Sequence, residues 1–100
     1  MFVIHVTYDV KEGMKDAFLA KLAELKVGEK SRAEDGNYDY TYYLPADGSN
    51  RIFLTEVWES REAQAAHTQT EHFRALGAVK NDYVDATEIK VFDKAEASSL

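Results

Sequence analysis

The chain contains no cysteine. Disulfide frameworks, thiolate nucleophiles, zinc ribbons and iron–sulfur ligation are therefore excluded. Basic residues are outnumbered, 12 Lys and Arg against 18 Asp and Glu, for a formal net charge of −6. That balance repels phosphate backbones and anionic lipid surfaces, so neither nucleic acid nor a membrane is expected as a partner. No run approaches the roughly 18 apolar residues of a spanning helix. Met1-Phe2-Val3-Ile4-His5 carries neither a basic stretch nor a long apolar one, so no secretory signal is expected and a cytoplasmic location is. A glycine-rich phosphate loop and a Gly-x-Ser-x-Gly elbow are also missing, which leaves covalent catalysis without an obvious nucleophile.

What is present is 100 residues, 45% hydrophobic and 30% charged. This is one domain with one modest core, too short for a separate cofactor domain. Phe2, Ile4, Val6, Tyr8 and Val10 alternate with Val3, His5, Thr7 and Asp9, the period of a strand with one buried face. From about Glu12 the period becomes helical, with Met14, Ala17, Phe18, Leu22 and Leu25 on one stripe. The pattern predicts one long helix to Glu34, kinked at most at Gly28, and ended by Asp35-Gly36. Asn37 to Leu44 alternates again, with Tyr38, Tyr40 and Tyr42 on one face, and a Pro45–Asn50 turn leads into the strand Arg51–Glu59. Ser60 is an N-cap for a helix on which Ala63, Ala66, His67 and Thr70 share a face, and Thr70 is able to cap a second short helix. A last strand, Ala86 to Phe92, precedes a polar tail expected to fray. The domain is taken as residues 1–93, with the tail over 94–100.

Strand, helix, strand, strand, helix, strand is the ferredoxin-like order, an α+β fold with a four-stranded antiparallel sheet and helices on one face. Val3, Tyr43, Phe53 and Val57 lie on the parity opposite Ile4, Tyr42, Leu54 and Trp58, so the second face of the sheet is also apolar. A patch of that size calls for a cover, and face-to-face homodimerisation into an α+β barrel supplies one, with His5 on the dimer side.

Glu56 and Trp58 point the same way as Ile52 and Leu54. Burial there would raise the carboxyl's pKa toward the range of proton exchange, although a sheet-edge or dimer-anchoring role is equally open. Trp58 is either core or pocket wall. His67 falls among small alanines on the face meeting the sheet, where a neutral imidazole is able to accept a proton, or is simply a satisfied core histidine. His67 and His72 are about 140° apart on a straight helix, with only Glu71 as a carboxylate between them, so no metal site is expected.

The segments Glu56-Val57-Trp58-Glu59-Ser60, Ala66-His67-Thr68-Gln69-Thr70-Glu71-His72-Phe73 and Val79-Lys80-Asn81-Asp82 resemble the signature of the antibiotic biosynthesis monooxygenase family. Within it the likeness is to the small quinol monooxygenases. The resemblance implies a dimeric ferredoxin-like α+β barrel that oxidises phenolic or quinol-like small molecules with dioxygen, without metal, haem, flavin or other cofactor. It carries over Glu56, Trp58, His67 and His72 as a pocket. His67 or Glu56 would take the substrate's hydroxyl proton, with His72 as a further catalytic candidate and Tyr40 or Tyr42 hydrogen-bonding the substrate. The family's short segment after the first helix is present as Gly36-Asn37, but Tyr38–Tyr42 is the chain's own, which leaves the substrate open. Haem-degrading relatives have a Trp where His67 stands, so haem degradation is disfavoured. Two alternatives remain. One is an isomerase of a phosphorylated autoinducer-like sugar derivative, with Lys26, Lys30 and Arg32 as a phosphate seat. The other is a non-catalytic stress-response dimer that binds a ligand.

Overall fold

The computed structural model describes residues 1–98. Among them, four strands and four α-helices follow one another as β1 (Phe2–Val10), α1 (Lys15–Glu24), α2 (Val27–Arg32), β2 (Asn37–Tyr43), β3 (Arg51–Trp58), α3 (Arg61–His67), α4 (Glu71–Val79) and β4 (Val84–Phe92). A short 3₁₀ turn over Lys80–Asp82 joins α4 to β4. The sheet is antiparallel throughout, in the order β2-β3-β1-β4. This is the ferredoxin-like α+β arrangement read from the sequence.

The alternating faces behave as their residues require. Phe2, Ile4, Val6, Tyr8 and Val10 of β1 and Ile52, Leu54, Glu56 and Trp58 of β3 are buried beneath the helices. Phe18 of α1 meets this layer edge-on at Tyr8, with ring centroids 5.5 Å apart, and stacks on Tyr83 at the same distance. Burying a side chain such as Phe18 or Leu22 contributes about 2 kcal/mol each, which fixes α1 against the sheet. On the other face His5 is packed edge-on between Phe53 and Phe92, at 5.1 and 5.0 Å. Tyr43 and Phe92 remain exposed there.

The single long helix expected from Glu12 to Glu34 is two helices. The break falls at Lys26, whose φ of 56° is left-handed, and not at Gly28. The chain re-enters a helix at once because Val27, fully buried, is turned inward. Gly28 serves another purpose, since a Cβ there would lie 2.9 Å from Nη1 of Arg32. The missing side chain gives Arg32 room to fold back and donate to the Tyr40 carbonyl at 2.9 Å.

Two further differences bear on the site. Tyr38 does not share the buried face of Tyr40 and Tyr42: the β2–β3 register slips between Asn37 and Asp39, and the extra residue, Tyr38, turns out into solvent. The expected fraying does not begin at Asp93, because Asp93 pairs with Arg61 at 2.8 Å and Ala95 exchanges two hydrogen bonds with Met1. The last two residues of the anticipated tail, 99–100, lie outside the described residues. Ile89 and Val91 of β4 pair with Val6 and Ile4 and so face the helix side. They stay 60% and 50% exposed, because the helices do not reach across β4. That gap opens the space between sheet and helices.

Candidate active site

Thr70 determines how the two histidines are held. Its hydroxyl donates to the His67 carbonyl at 2.7 Å and accepts from the Phe73 amide at 3.2 Å, closing α3 and capping α4 in one side chain. His67 and His72 therefore do not lie on one straight helix, and the 140° offset does not apply. The turn after α2 supplies their common partner. Gly36, at φ 80°, lies so close to α3 that a Cβ would come within 2.8 Å of the Ala63 Cβ, and the Glu59 amide donates to its carbonyl at 2.7 Å. This close approach carries Glu34 under α3 and α4.

There, one carboxylate oxygen, Oε2 of Glu34, accepts from Nδ1 of His67 at 2.6 Å and from Nε2 of His72 at 2.8 Å. The three side chains are 14%, 2% and 10% exposed. Their ligating atoms lie within 4.8 Å of one another, so the set has the composition to hold a divalent metal. The spacings themselves are those of short charge-assisted hydrogen bonds. Burial pulls the His67 imidazole below its usual pKa, opposed by the hydrogen bond and charge of Glu34. The His67 ring packs 4.9 Å from Trp58, 5.2 Å from Phe73 and 5.7 Å from Tyr40.

Beside this cluster lies a cavity of about 500 Å³ between sheet and helices. Its floor is Phe2, Ile4, Val6 and Tyr8 of β1; Tyr40, Glu56 and His67 line it; Phe73 and Leu76 of α4 and Ile89 and Val91 of β4 complete the apolar wall. Glu56 is 6% exposed. Its burial pushes the carboxyl up to about 7, against the hydrogen bond from Trp58, with the Glu34 charge adding to the rise. Trp58 Nε1 donates to Glu56 Oε1 at 3.1 Å. Burial also pushes the Tyr8 and Tyr40 hydroxyls well above the ordinary phenol range, so both remain neutral hydrogen-bonding groups.

Of the six residues singled out from the sequence, Glu56, His67 and Tyr40 line one cavity. The other three are placed differently. Trp58 is fully buried and acts on the cavity through Glu56 and through the His67 ring. His72 is not a cavity residue, because α4 starts afresh at Thr70 and turns its ring onto Glu34. Tyr42, two residues along β2 from Tyr40, borders a second cavity of about 320 Å³ against α1 and α2, together with Lys26 and Arg32. Burial raises its hydroxyl to about 12. The cations considered as a phosphate seat are thus at the second cavity or, for Lys30, at neither. Glu34 is absent from the sequence candidates. Nothing local distinguishes it from Glu24 or Glu29; only the glycine turn and the packing of α3 bring it to the histidines.

The family model described as antibiotic biosynthesis monooxygenase matches residues 1–79. An uncharacterized protein of Synechocystis is 33% identical over 92 residues, 91% of this chain, which spans 61% of that protein's length. The Bacillus subtilis protein named "Putative monooxygenase YcnE" is 28% identical over 86% of this chain and 88% of its own. The solved structure named "Putative antibiotic biosynthesis monooxygenase from Nitrosomonas europaea" superposes with a TM-score of 0.85 at 25% identity, over 96% of this chain and 100% of that one. The family match over most of the domain, on a fold shared with that structure, shows that the chain belongs to the antibiotic biosynthesis monooxygenase family.

Proposed function

We propose that the protein is a cofactor-independent monooxygenase that oxidises a quinol or polyphenol-like small molecule with dioxygen in the sheet–helix cavity. The observation that carries this reading is the pairing of two proton acceptors of different kinds, Glu56 and His67, in one largely apolar cavity of about 500 Å³. A carboxyl near pKa 7 and a neutral imidazole are both matched to accepting a proton near neutral pH. The guest's ring is held by the apolar wall, and Tyr40 is placed to hydrogen-bond a hydroxyl or oxo group.

Removing a hydroxyl proton makes the ring electron-rich enough to pass an electron to dioxygen, after which the radical pair combines at a ring carbon. With hydroquinone the balance is one quinol plus one dioxygen giving one hydroxybenzoquinone and one water. All four electrons come from the substrate, so the step calls for no added reductant. The protein's part is to take the proton, orient the anion and keep water from the intermediate. We include in the proposal a homodimer closed over the outer sheet face, where His5, Phe53, Phe92 and Tyr43 present aromatic surface. A cytoplasmic setting belongs to the same reading.

Oxygen uptake with a panel of hydroquinones and catechols is the test. Turnover is expected with at least one member, and it should fall at least 100-fold in the Glu56→Gln, His67→Gln double variant. Full activity in the double variant would overturn the assignment. Isomerisation of a phosphorylated substrate without oxygen uptake would select the alternative activity, and tight binding of an aromatic without turnover would select the binding protein.

A further inference from the structure

We infer that Glu34 is a positioning residue that holds His67 as the Nδ1–H tautomer, so that Nε2 carries the lone pair left free to meet a guest. The inference deepens the proposed reaction and rests on it for its kinetic consequence, but its structural half is independent of any substrate.

A carboxylate oxygen can only accept in a hydrogen bond. Oε2 of Glu34 lies 2.6 Å from Nδ1 of His67, so Nδ1 bears the hydrogen. In a neutral imidazole the other nitrogen is then the acceptor. Burial disfavours the charged form of the His67 ring, and in a neutral ring without a fixed partner the two tautomers would interconvert. His67 lines the cavity and Glu34 does not, and Nδ1 is already engaged by Glu34, so it is not free to meet a guest. The remaining edge, with Nε2, is the one able to take a proton from it.

His72 completes the device. It donates Nε2–H to the same oxygen at 2.8 Å, holding the carboxylate in place from α4 while His67 is held from α3. Because both imidazoles donate to a single oxygen, the carboxylate cannot turn away without losing both bonds. When His67 takes the substrate's proton, the Glu34 charge beside Nδ1 stabilises the imidazolium that forms. Labour around the cavity is thereby divided: Glu56 and His67 meet the guest, whereas Glu34 and His72 act through His67.

The test is ¹⁵N NMR of the histidine side chains in the full chain, combined with steady-state kinetics. At pH 7 wild-type His67 should show the Nδ1-protonated pattern, and Glu34→Leu, which removes the acceptor, should shift it toward a mixture with the Nε2–H form. His72→Gln should leave the His67 tautomer unchanged. With a turned-over quinol, Glu34→Leu is expected to lower kcat by about 10² to 10³, in line with the loss of an oriented general base. KM should stay within a few-fold, because Glu34 does not touch the cavity, and Glu34→Asp should recover part of kcat. A backbone amide spectrum matching wild type shows that each variant is folded. An unchanged His67 tautomer in folded Glu34→Leu, or a Nε2–H form in wild type, would overturn the inference. Binding of Mn²⁺ or Zn²⁺ that is lost with Glu34→Gln would instead make the cluster a metal site and would overturn it too. If no quinol is turned over while the tautomer responds as expected, the proposed reaction fails and the positioning role stands.

Discussion

Replacing Glu56 by Gln isolates the cost of holding a carboxylate in the cavity. The burial of Glu56 moves its carboxyl from an ordinary 4.5 to about 7. At about 1.36 kcal/mol for each tenfold change in proton affinity, this corresponds to roughly 3 kcal/mol of folding free energy. The folded pKa lies above the unfolded one, so the contribution is fully present below the unfolded value of 4.5, where Glu56 is protonated in both states. It is lost as pH rises through about 7. The amide of the Glu56→Gln variant would keep an acceptor for Trp58 Nε1–H and carry no charge at any pH. The two proteins should therefore be of nearly equal stability at about pH 4, with the variant more stable by roughly 3 kcal/mol at about pH 8. Trp58 is the single tryptophan and is fully buried against Glu56, so urea unfolding followed by its fluorescence reads the site directly. The lowered pKa of His67 acts in the opposite direction, removing stability as pH falls below the usual imidazole range. It is common to both proteins and cancels in the difference. Stability curves that run parallel across this whole pH range would refute the burial argument.

Other perturbations read other parts of the molecule. Ser31 of α2 is fully buried and its hydroxyl has no hydrogen-bond partner among the described residues, so Ser31→Ala should leave the denaturation midpoint unchanged or raise stability by about 1 kcal/mol. Gly36→Ala meets both a left-handed φ and the Ala63 Cβ at 2.8 Å; a loss of about 2 kcal/mol or more is expected in the same denaturation assay. Trp58→Phe removes the donor that lowers the Glu56 carboxyl, and infrared titration of the buried carboxyl should find its midpoint above that of wild type. On the outer sheet face, where a homodimer is proposed, Phe53→Glu should move the sedimentation behaviour toward that of a monomer.

The strands are legible in the sequence because β1 and β3 are each buried on one face only, so a period of two survives. The helix break is not, because Lys26 takes a left-handed conformation to turn Val27 inward, a tertiary demand that leaves no local mark. Gly28 has the composition of a breaker, yet its lack of a side chain serves Arg32. Half of the site is legible for the same reason as the strands: Glu56 and Tyr40 lie opposite one another in the β2–β3 ladder, and His67 falls on the buried face of its helix. Glu34 lies 33 residues before its partner His67, and only the Gly36 turn against Ala63 joins them. The family resemblance places His72 in the pocket with His67, whereas the Thr70 cap aims it onto Glu34.

If the cavity takes a proton from a bound phenolic guest, the guest's ionisation is visible before any oxygen is consumed. An anaerobic ultraviolet difference spectrum of a turned-over quinol with the protein near neutral pH reads it, because free phenols ionise only near about pH 10. The wild-type complex should show the absorbance of the quinol anion, and the Glu56→Gln, His67→Gln double variant should bind the quinol without it. A guest bound wholly in its neutral form by the wild type, or an anion band of equal size in the double variant, would show that neither Glu56 nor His67 is the base.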